Sequence, residues 1–121
     1  MNYMLLIYRQ EDRLQELEQG ISPGCAALAE RLMDSGHYVA AGILHAVSSA
    51  TSIRLRDGRT LVTDGPFAET HEQLAGYLLV EAKDLDEAIS IAVQHPVAKV
   101  GTVEIRPLRE IPELVLSSKK K

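Results

Sequence analysis

Two amphipathic helical patterns, each lying between β-forming runs, constrain the fold of this chain most strongly. The first helix is predicted to begin at Ser22-Pro23, an N-cap followed by proline at the first helical position, and to end at Gly36. The second is predicted to begin at Asp84, with Glu87 completing a capping box. Each helix carries an apolar stripe that predicts one buried face. The stripes are Cys25, Leu28, Ala29, Leu32 and Met33 in the first helix, and Leu85, Ala88, Ile89, Ala92 and Val93 in the second.

The β-forming runs around these helices predict a sheet and an inserted hairpin. Asp57-Gly58 predicts a two-residue hairpin turn, because both residues tolerate positive φ. Ile53 and Leu55 alternate with arginines, which predicts a half-buried strand. The order β-α-β, hairpin, β-α-β predicts an α+β fold of the ferredoxin-like type. The two helices would cover one face of the sheet, and the other face would have to be covered by something else. The predicted strands are Asn2–Tyr8, His37–Ala46, Thr51–Arg56, Arg59–Thr63, Gly76–Ala82 and Thr102–Pro107.

Length and charge limit the kind of protein this can be. The chain has 121 residues, room for one domain, which we place in residues 1–110 with a C-terminal tail in 111–121. Its 45% of hydrophobic and 25% of charged residues are typical of a globular protein. The formal net charge is −4, and the chain ends in three lysines, so the preceding body is more acidic still. No nucleic-acid partner is expected, because an acidic body repels phosphate backbones.

Other classes are excluded by motifs that the sequence lacks. Cys25 is the single cysteine, so no intrachain disulfide can form and the reducing cytoplasm is the simplest location. The chain lacks a signal-peptide pattern and any run near the ~20 apolar residues that span a bilayer, so no membrane partner is expected. The four histidines form no close ligand pair, so no metal site is expected. No glycine-rich phosphate loop is present, so no cofactor is expected.

One segment of the sequence carries a family resemblance. Residues 64–70 read DGPFAET, with EQL at 72–74 and GY at 76–77; the flanks include YMLLIY at 3–8, RDGR at 56–59, DLDEA at 84–88 and VEIRP at 103–107. These segments resemble the DGPF branch of the YCII-related family over nearly the whole chain. The resemblance implies a ferredoxin-like protomer that pairs sheet to sheet into a dimeric α+β barrel, and therefore a homodimer. It names no reaction, because most of the family has no established activity.

The resemblance leaves alternative functions open. We favour a small-molecule enzyme or a ligand-binding protein with a pocket near the DGPF loop. The alternative is a non-catalytic regulatory partner, because DGPF proteins resemble companions encoded near alternative sigma factors. A cofactor-free oxygenase or isomerase is a third reading that rests on fold analogy.

A departure from the wider superfamily bears on catalysis. That superfamily resembles small-molecule lyases or hydrolases with a His–Asp pair, whose histidine lies on the first helix about where this chain has Cys25. No histidine occurs between Ser22 and Ser35. The pair therefore cannot be carried over to this chain.

Asp64 is the principal candidate for a catalytic or ligand-binding group, with Gly65, Pro66 and Phe67 as candidate ligand contacts beside it. Aspartate commonly accepts a hydrogen bond from the backbone N–H two residues on, but that residue is Pro66, which has none. The carboxylate must find a more distant donor in the backbone, a second subunit or a ligand. It would either rigidify the loop or, beside Phe67 in an apolar pocket, act as a general acid or base.

His71 is the second candidate catalytic residue. It follows the DGPF loop, between Glu69 and Glu72, where the resemblance would lead us to expect lysine. A solvated loop histidine is the alternative. Cys25 is interpreted as a small residue of the apolar core, although the helix start could favour its thiolate. His95 is interpreted as a cation at the end of the second helix.

Overall fold

Six β-strands and two α-helices make up the described part of the chain, residues 1–11 and 23–111 of a computed structural model. They are β1 Asn2–Arg9, α1 Pro23–Ser35, β2 Tyr38–Ile43, β3 Thr51–Arg56, β4 Arg59–Asp64, β5 Gln73–Glu81, α2 Leu85–Ala92 and β6 Thr102–Pro107. Short 3₁₀ turns lie at Val47–Ser49 and Pro96–Lys99. Neither helix of this part of the chain is long and apolar enough to cross a bilayer.

Four of the strands form one antiparallel sheet in the order β2-β5-β1-β6. The units β1-α1-β2 and β5-α2-β6 therefore each join two strands that have one other strand between them, as in the ferredoxin-like arrangement. The remaining strands, β3 and β4, form a separate two-stranded hairpin. The predicted α+β fold and the predicted order of elements are confirmed.

The core lies between one face of the sheet and the two helices. Alternate residues of β1 are buried, because successive side chains of a strand point to opposite faces. The buried residues are Tyr3, Leu5 and Ile7 of β1, Leu78 and Val80 of β5, Leu28 and Leu32 of α1, Ala88, Ile91 and Ala92 of α2, with Ala82 and Val97. Leu5 and Val80 are wholly inaccessible to solvent, so the two central strands anchor the layer.

The C-terminal cap of α1 forms at Gly36, where the sequence predicts it. Gly36 has a φ of 80°, a conformation that a residue without Cβ adopts without strain. Its N–H donates to the Met33 carbonyl at 3.2 Å, and the His37 N–H donates to the Leu32 carbonyl at 2.9 Å. This pair of bonds is a Schellman motif, and it satisfies two carbonyls that the helix itself leaves open. The predicted cap at Ser22 lies outside the described residues.

The cap of α2 and the hairpin turn also follow the sequence prediction. The Asp84 carboxylate accepts the Glu87 N–H at 2.9 Å, and Glu87 Oε1 in return accepts the Lys83 N–H at 3.0 Å, one residue before the N-cap. Asp57 and Gly58 have φ values of 51° and 75°, as a two-residue turn with both central angles positive requires.

The predicted buried face of α2 is partly wrong. Ala88 and Ala92 are buried, but they share that face with Ile91, whereas Leu85, Ile89 and Val93 of the predicted stripe are exposed. Apolar residues lie on more than one face of this helix. Their spacing along the sequence therefore fits two overlapping stripes. Packing against the sheet selects the face with two small alanines, which lets the helix approach closely.

The predicted half-burial of β3 is also wrong. Ile53 and Leu55 are 66% and 65% exposed, because β3 pairs only with β4 in the described part of the chain and no layer packs on the hairpin. Met33, on the predicted stripe of α1, is likewise exposed.

The corrected face of α2 predicts unequal effects for the same substitution at two isoleucines. Ile91→Ala, at a buried site, should lower the free energy of unfolding by about 2–4 kcal/mol, because it leaves a cavity. Ile89→Ala, 44% exposed on the same helix, should cost under about 1 kcal/mol. Urea unfolding of both variants measures the difference. Equal losses would show that the two faces are packed alike and would overturn the assignment.

Candidate functional site

A shallow cleft lies where the end of β1 meets the start of β5. Its volume is about 420 Å³, and it is lined by Gln10, Glu11, Val47, His71 and Gln73. The pairing of β1 with β5 places Arg9 opposite Gln73, so the residues after one strand and before the other are brought together. Polar groups from three separate segments therefore converge on one concavity.

Glu11 fixes two walls of this cleft. Its backbone N–H donates to Gln73 Oε1 at 3.0 Å. Its carboxylate oxygens accept the Val47 N–H at 3.1 and 3.2 Å. Val47 is the first residue of a 3₁₀ turn, so an acidic group meets backbone N–H at a turn's N-terminal end, where negative charge is favourable. Glu11 thus holds the turn against the end of β1.

His71 is held in the cleft by Gln10. The amide nitrogen of Gln10 lies 2.6 Å from His71 Nε2. Since an amide nitrogen is a donor, His71 Nε2 is the acceptor, and the neutral ring carries its proton on Nδ1. The segment before β5 is held by its own side chains: Gln73 Nε2 donates to the Thr70 carbonyl at 2.5 Å, and Thr70 Oγ1 donates to the Glu72 carbonyl at 2.6 Å.

The DGPF loop lies at the end of the hairpin and does not line this cleft. Asp64 closes β4 opposite Thr51, is exposed, and makes no hydrogen bond through its carboxylate within the described residues. Gly65 has a φ of 103°, and its N–H donates to the Ala50 carbonyl at 2.7 Å. Its own carbonyl accepts Ser52 Oγ at 2.9 Å. The backbone bonds of Gly65, rather than the Asp64 carboxylate, therefore hold this loop.

The four candidate residues of the loop remain predictions as ligand contacts. Pro66 is half-buried beside Gly65, and Phe67 is 78% exposed. The second candidate, His71, does line the cleft, with neighbours that sequence reasoning did not select. The sequence analysis selects none of Gln10, Glu11 and Gln73 as a site residue; Gln73 enters it only within the family-resembling segment. Their meeting depends on the pairing of β1 with β5, so only knowledge of that pairing could have found them.

Metal-binding chemistry has no support at this site. Among residues 1–11 and 23–111, no group of three or more His, Cys, Asp or Glu side chains is placed to hold a metal ion. The chemistry of the cleft is that of amides, one imidazole and one carboxylate engaged with backbone N–H.

The fold and the cleft define a ferredoxin-like α+β protein with a polar site at one end of its central strand pair. The sequence model of the YCII-related domain matches residues 1–112, so the chain belongs to the YCII-related family. An uncharacterized protein of Rhizobium meliloti (strain 1021) is 32% identical over 114 residues, covering 89% of this chain and 92% of that protein.

A solved structure confirms the fold. The 5-chloro-2-hydroxyhydroquinone dehydrochlorinase of Burkholderia phenoliruptrix AC1100, in complex with 2,5-dihydroxybenzoquinone, superposes with a TM-score of 0.55. The match covers 93% of this chain and 98% of the dehydrochlorinase, at 14% identity. At that identity the likeness establishes the fold alone.

The contacts of the DGPF loop predict unequal roles in stability for two of its side chains. Asp64→Asn should change the free energy of unfolding by less than about 0.5 kcal/mol, because the exposed carboxylate makes no bond to the described chain. Ser52→Ala should cost about 1 kcal/mol, because it removes the bond to the Gly65 carbonyl. Urea unfolding compares the two variants. A larger loss for Asp64→Asn would mean that its carboxylate is a structural acceptor after all.

Proposed function

We propose that this protein is a small-molecule enzyme or ligand-binding protein that works in the cleft of Gln10, Glu11, His71 and Gln73. The observation that carries the proposal is the contact between Gln10 and His71 at the cleft wall. An imidazole held by one nitrogen offers the other to a ligand. The dehydrochlorinase of the same fold, whose solved complex contains a dihydroxybenzoquinone, supports a small organic ligand, a size that a cleft of about 420 Å³ can admit.

His71 is the proton-transfer group in this proposal. With Nε2 occupied by Gln10, the Nδ1–H can donate to a carbonyl or phenolate oxygen of the ligand. General acid catalysis would use the protonated ring, with Gln10 turned so that its amide oxygen, rather than its nitrogen, faces Nε2. The Gln73 amide and the Glu11 backbone are already bonded to each other, so they shape the cleft wall rather than move protons.

The DGPF loop is the second part of the proposal. The sequence of this loop resembles that of the DGPF branch, and Asp64, with its carboxylate unbonded within the described residues, is available to a ligand or to a second copy of the chain. Gly65, Pro66 and Phe67 would supply contacts beside it. In this proposal Asp64 contacts the ligand, although the DGPF loop is not part of the cleft that His71 lines.

Binding of a quinone probe tests the role of His71. We expect 2,5-dihydroxybenzoquinone to bind the protein weakly and His71→Gln to lose at least about tenfold in affinity, because the ring N–H donor to the ligand is lost. His45→Gln, an exposed histidine outside the cleft, is the matched control. Titration calorimetry, with Cys25→Ser in all variants to prevent reaction with the thiol, gives the affinities. Equal affinity in His71→Gln and His45→Gln would reject the cleft as the site.

We also propose that two copies pair through the sheet face opposite the helices. Met4 and Leu6 of β1 point to that face, and Leu79 and Tyr77 of β5 lie opposite them in register. β6 adds Arg106 beside Met4 and Glu104 beside Leu6. A two-fold interface must be self-complementary, and an apolar centre beside adjacent opposite charges meets that need.

A tyrosine hydroxyl at the edge of the same face is partly withdrawn from water. Burial, together with a hydrogen bond and charge repulsion from Glu104, raises the pKa of Tyr8 above its usual value. The phenol therefore stays neutral beside the apolar residues. Polar groups arranged in this way favour one pairing geometry over others.

Light scattering tests the pairing. We expect a dimer at micromolar concentration, with an interface of about 2,000 Å² in total. Leu6→Lys should produce monomers, because it places an unpaired charge in the interface. Leu55→Lys, on the exposed face of the hairpin, should leave the dimer intact. A monomeric wild type would reject the pairing, and monomers from Leu55→Lys alone would move the interface to the hairpin.

A regulatory partner is the second candidate function, and one feature favours it. Ile53, Leu55 and Val62 lie on one face of the hairpin and are 60–66% exposed. Exposed apolar faces of this kind often mark protein–protein contacts. If Leu55→Lys leaves the dimer intact, that face remains available to a protein of another kind, such as an alternative sigma factor.

A further inference from the structure

The ring of Tyr77 lies across β2 on the sheet face that the helices leave open. Tyr77 of β5 is opposite Gly42 of β2 in the register. A Cβ added at Gly42 would lie 2.6 Å from Tyr77 Cε1 and 2.9 Å from the Tyr77 hydroxyl oxygen. A side chain at this position would therefore displace the ring. The glycine lets the phenol reach from the central strand β5 to the β2 edge of the sheet.

The Tyr77 hydroxyl makes no hydrogen bond to another group within residues 1–11 and 23–111. Tyr77 is 36% exposed, so water can bond the hydroxyl in a single copy of the chain. If this face is covered, that water is lost, and a buried phenol hydroxyl needs a new partner. Whatever covers the face must therefore bring a hydrogen-bond acceptor to the β2 edge.

The opposite edge of the same face carries such an acceptor. The register places Glu104 of β6 beside Leu6 and Arg106 beside Met4. Glu104 Oε2 lies 3.4 Å from Arg106 Nη1, and the carboxylate also accepts the Tyr8 hydroxyl. A carboxylate offers about four lone-pair directions, so Glu104 can accept a further hydrogen bond. One edge of the face thus has a donor to satisfy, and the other has an acceptor to spare.

The register arranges the open face in two rows, each running from the β2 edge to the β6 edge. Row one is Gly42, Tyr77, Leu6 and Glu104, and row two is Ala40, Leu79, Met4 and Arg106. Two orientations of a second copy keep facing strands aligned. With the two-fold axis parallel to the strands, β2 lies over β6 of the partner, and each row meets the same row. With the axis across the strands, β2 lies over β2, and each row meets the other row.

We propose that the second copy lies with its β6 over β2 of the first, so that each Tyr77 hydroxyl donates to the partner's Glu104. This inference rests on the sheet-to-sheet pairing proposed above and adds its orientation. The β2 end of row one then faces the β6 end of the partner's row one. The Tyr77 ring and Leu6 meet their counterparts at the centre, and the two-fold axis makes the same hydrogen bond twice.

The other orientation leaves the Tyr77 hydroxyl without an acceptor. It would bring the hydroxyl to the partner's Ala40 and Leu79, whose side chains have no polar atoms. It would also bring Glu104 over the partner's Arg106, but Glu104 already has Arg106 of its own chain within 3.4 Å. That orientation repeats an ion pair that exists and buries a hydroxyl unpaired, which is the costlier outcome. The orientation with β2 over β6 satisfies both edges.

Cross-linking tests the orientation. In a Cys25→Ser background, Ala40→Cys and Arg106→Cys place thiols at the two ends of row two, and facing sheets pack about 10 Å apart, within reach of a short bismaleimide. We expect a covalent dimer from the double variant and at least about tenfold less from either single variant, because only the double variant has facing thiols. Within one chain the two positions are three strand spacings apart, about 14 Å, and a link there would leave a monomer on a denaturing gel. A covalent dimer from Ala40→Cys alone would place β2 over β2 and overturn the proposal.

Removal of the Tyr77 hydroxyl tests the hydrogen bond itself. Tyr77→Phe should raise the dissociation constant of the dimer at least about tenfold, because two symmetrical bonds are lost. Tyr38→Phe, a tyrosine packed against the core on the helix side of the sheet, is the matched control and should leave the constant unchanged. Sedimentation equilibrium gives the constants, and circular dichroism confirms that each variant folds. Equal constants for Tyr77→Phe and wild type would reject this bond while the pairing stands, whereas a monomeric wild type would reject both.

Discussion

The pairing of β1 with strands on both sides is the constraint on which the rest of the structure depends. β1 hydrogen-bonds to β5 on one side and β6 on the other, and its buried side includes Leu5, which is wholly inaccessible to solvent. Because the pairing is antiparallel, the end of β1 must meet the start of β5. The register places Arg9 opposite Gln73, and Gln10 and Glu11, which follow Arg9, have no sheet partner within the described residues. The cleft is therefore a product of where β1 stops.

Sequence predicted those parts of the fold that local chemistry decides. Gly36 and the Asp84 cap act over three to five residues, and the Asp57-Gly58 turn over two, so a short stretch of sequence contains all the needed information. The buried face of α2 depends instead on a sheet whose strands come from distant parts of the chain, from Asn2–Arg9 to Thr102–Pro107. Ile89 and Ile91 are chemically identical, and packing alone distinguishes them. The same argument covers the cleft: His71 stood out as a titratable residue in a loop, but its partner Gln10 is 61 residues distant.

The apolar surface that remains outside the core has a common origin. A domain of this size cannot enclose two helices, a four-stranded sheet and a hairpin in one core, so one layer of helices covers one sheet face. The opposite sheet face and the hairpin then depend on contacts that one copy of the chain does not supply to itself within the described residues. The sheet face is the better candidate for self-pairing, since it adds opposite charges beside an apolar centre, whereas the hairpin face of Ile53, Leu55 and Val62 carries the acidic Asp64 and no basic residue.

His71 of the cleft and His95 after α2 differ in a way that separates their chemistry. At His71 the Gln10 amide occupies Nε2, and the proton is left on Nδ1 of an exposed ring that can exchange it with solvent. At His95 the Val97 N–H occupies Nδ1, and the proton points at a sulfur from a ring whose burial lowers its pKa. The first ring presents its N–H to solvent or to a ligand, whereas the second holds its N–H against the sulfur of Cys25. Because burial keeps the His95 ring neutral, the interpretation of His95 as a cation at the end of α2 is wrong: it caps the following turn. The fold therefore places the His71 ring at the rim of the sheet and the His95 ring between a helix and a turn.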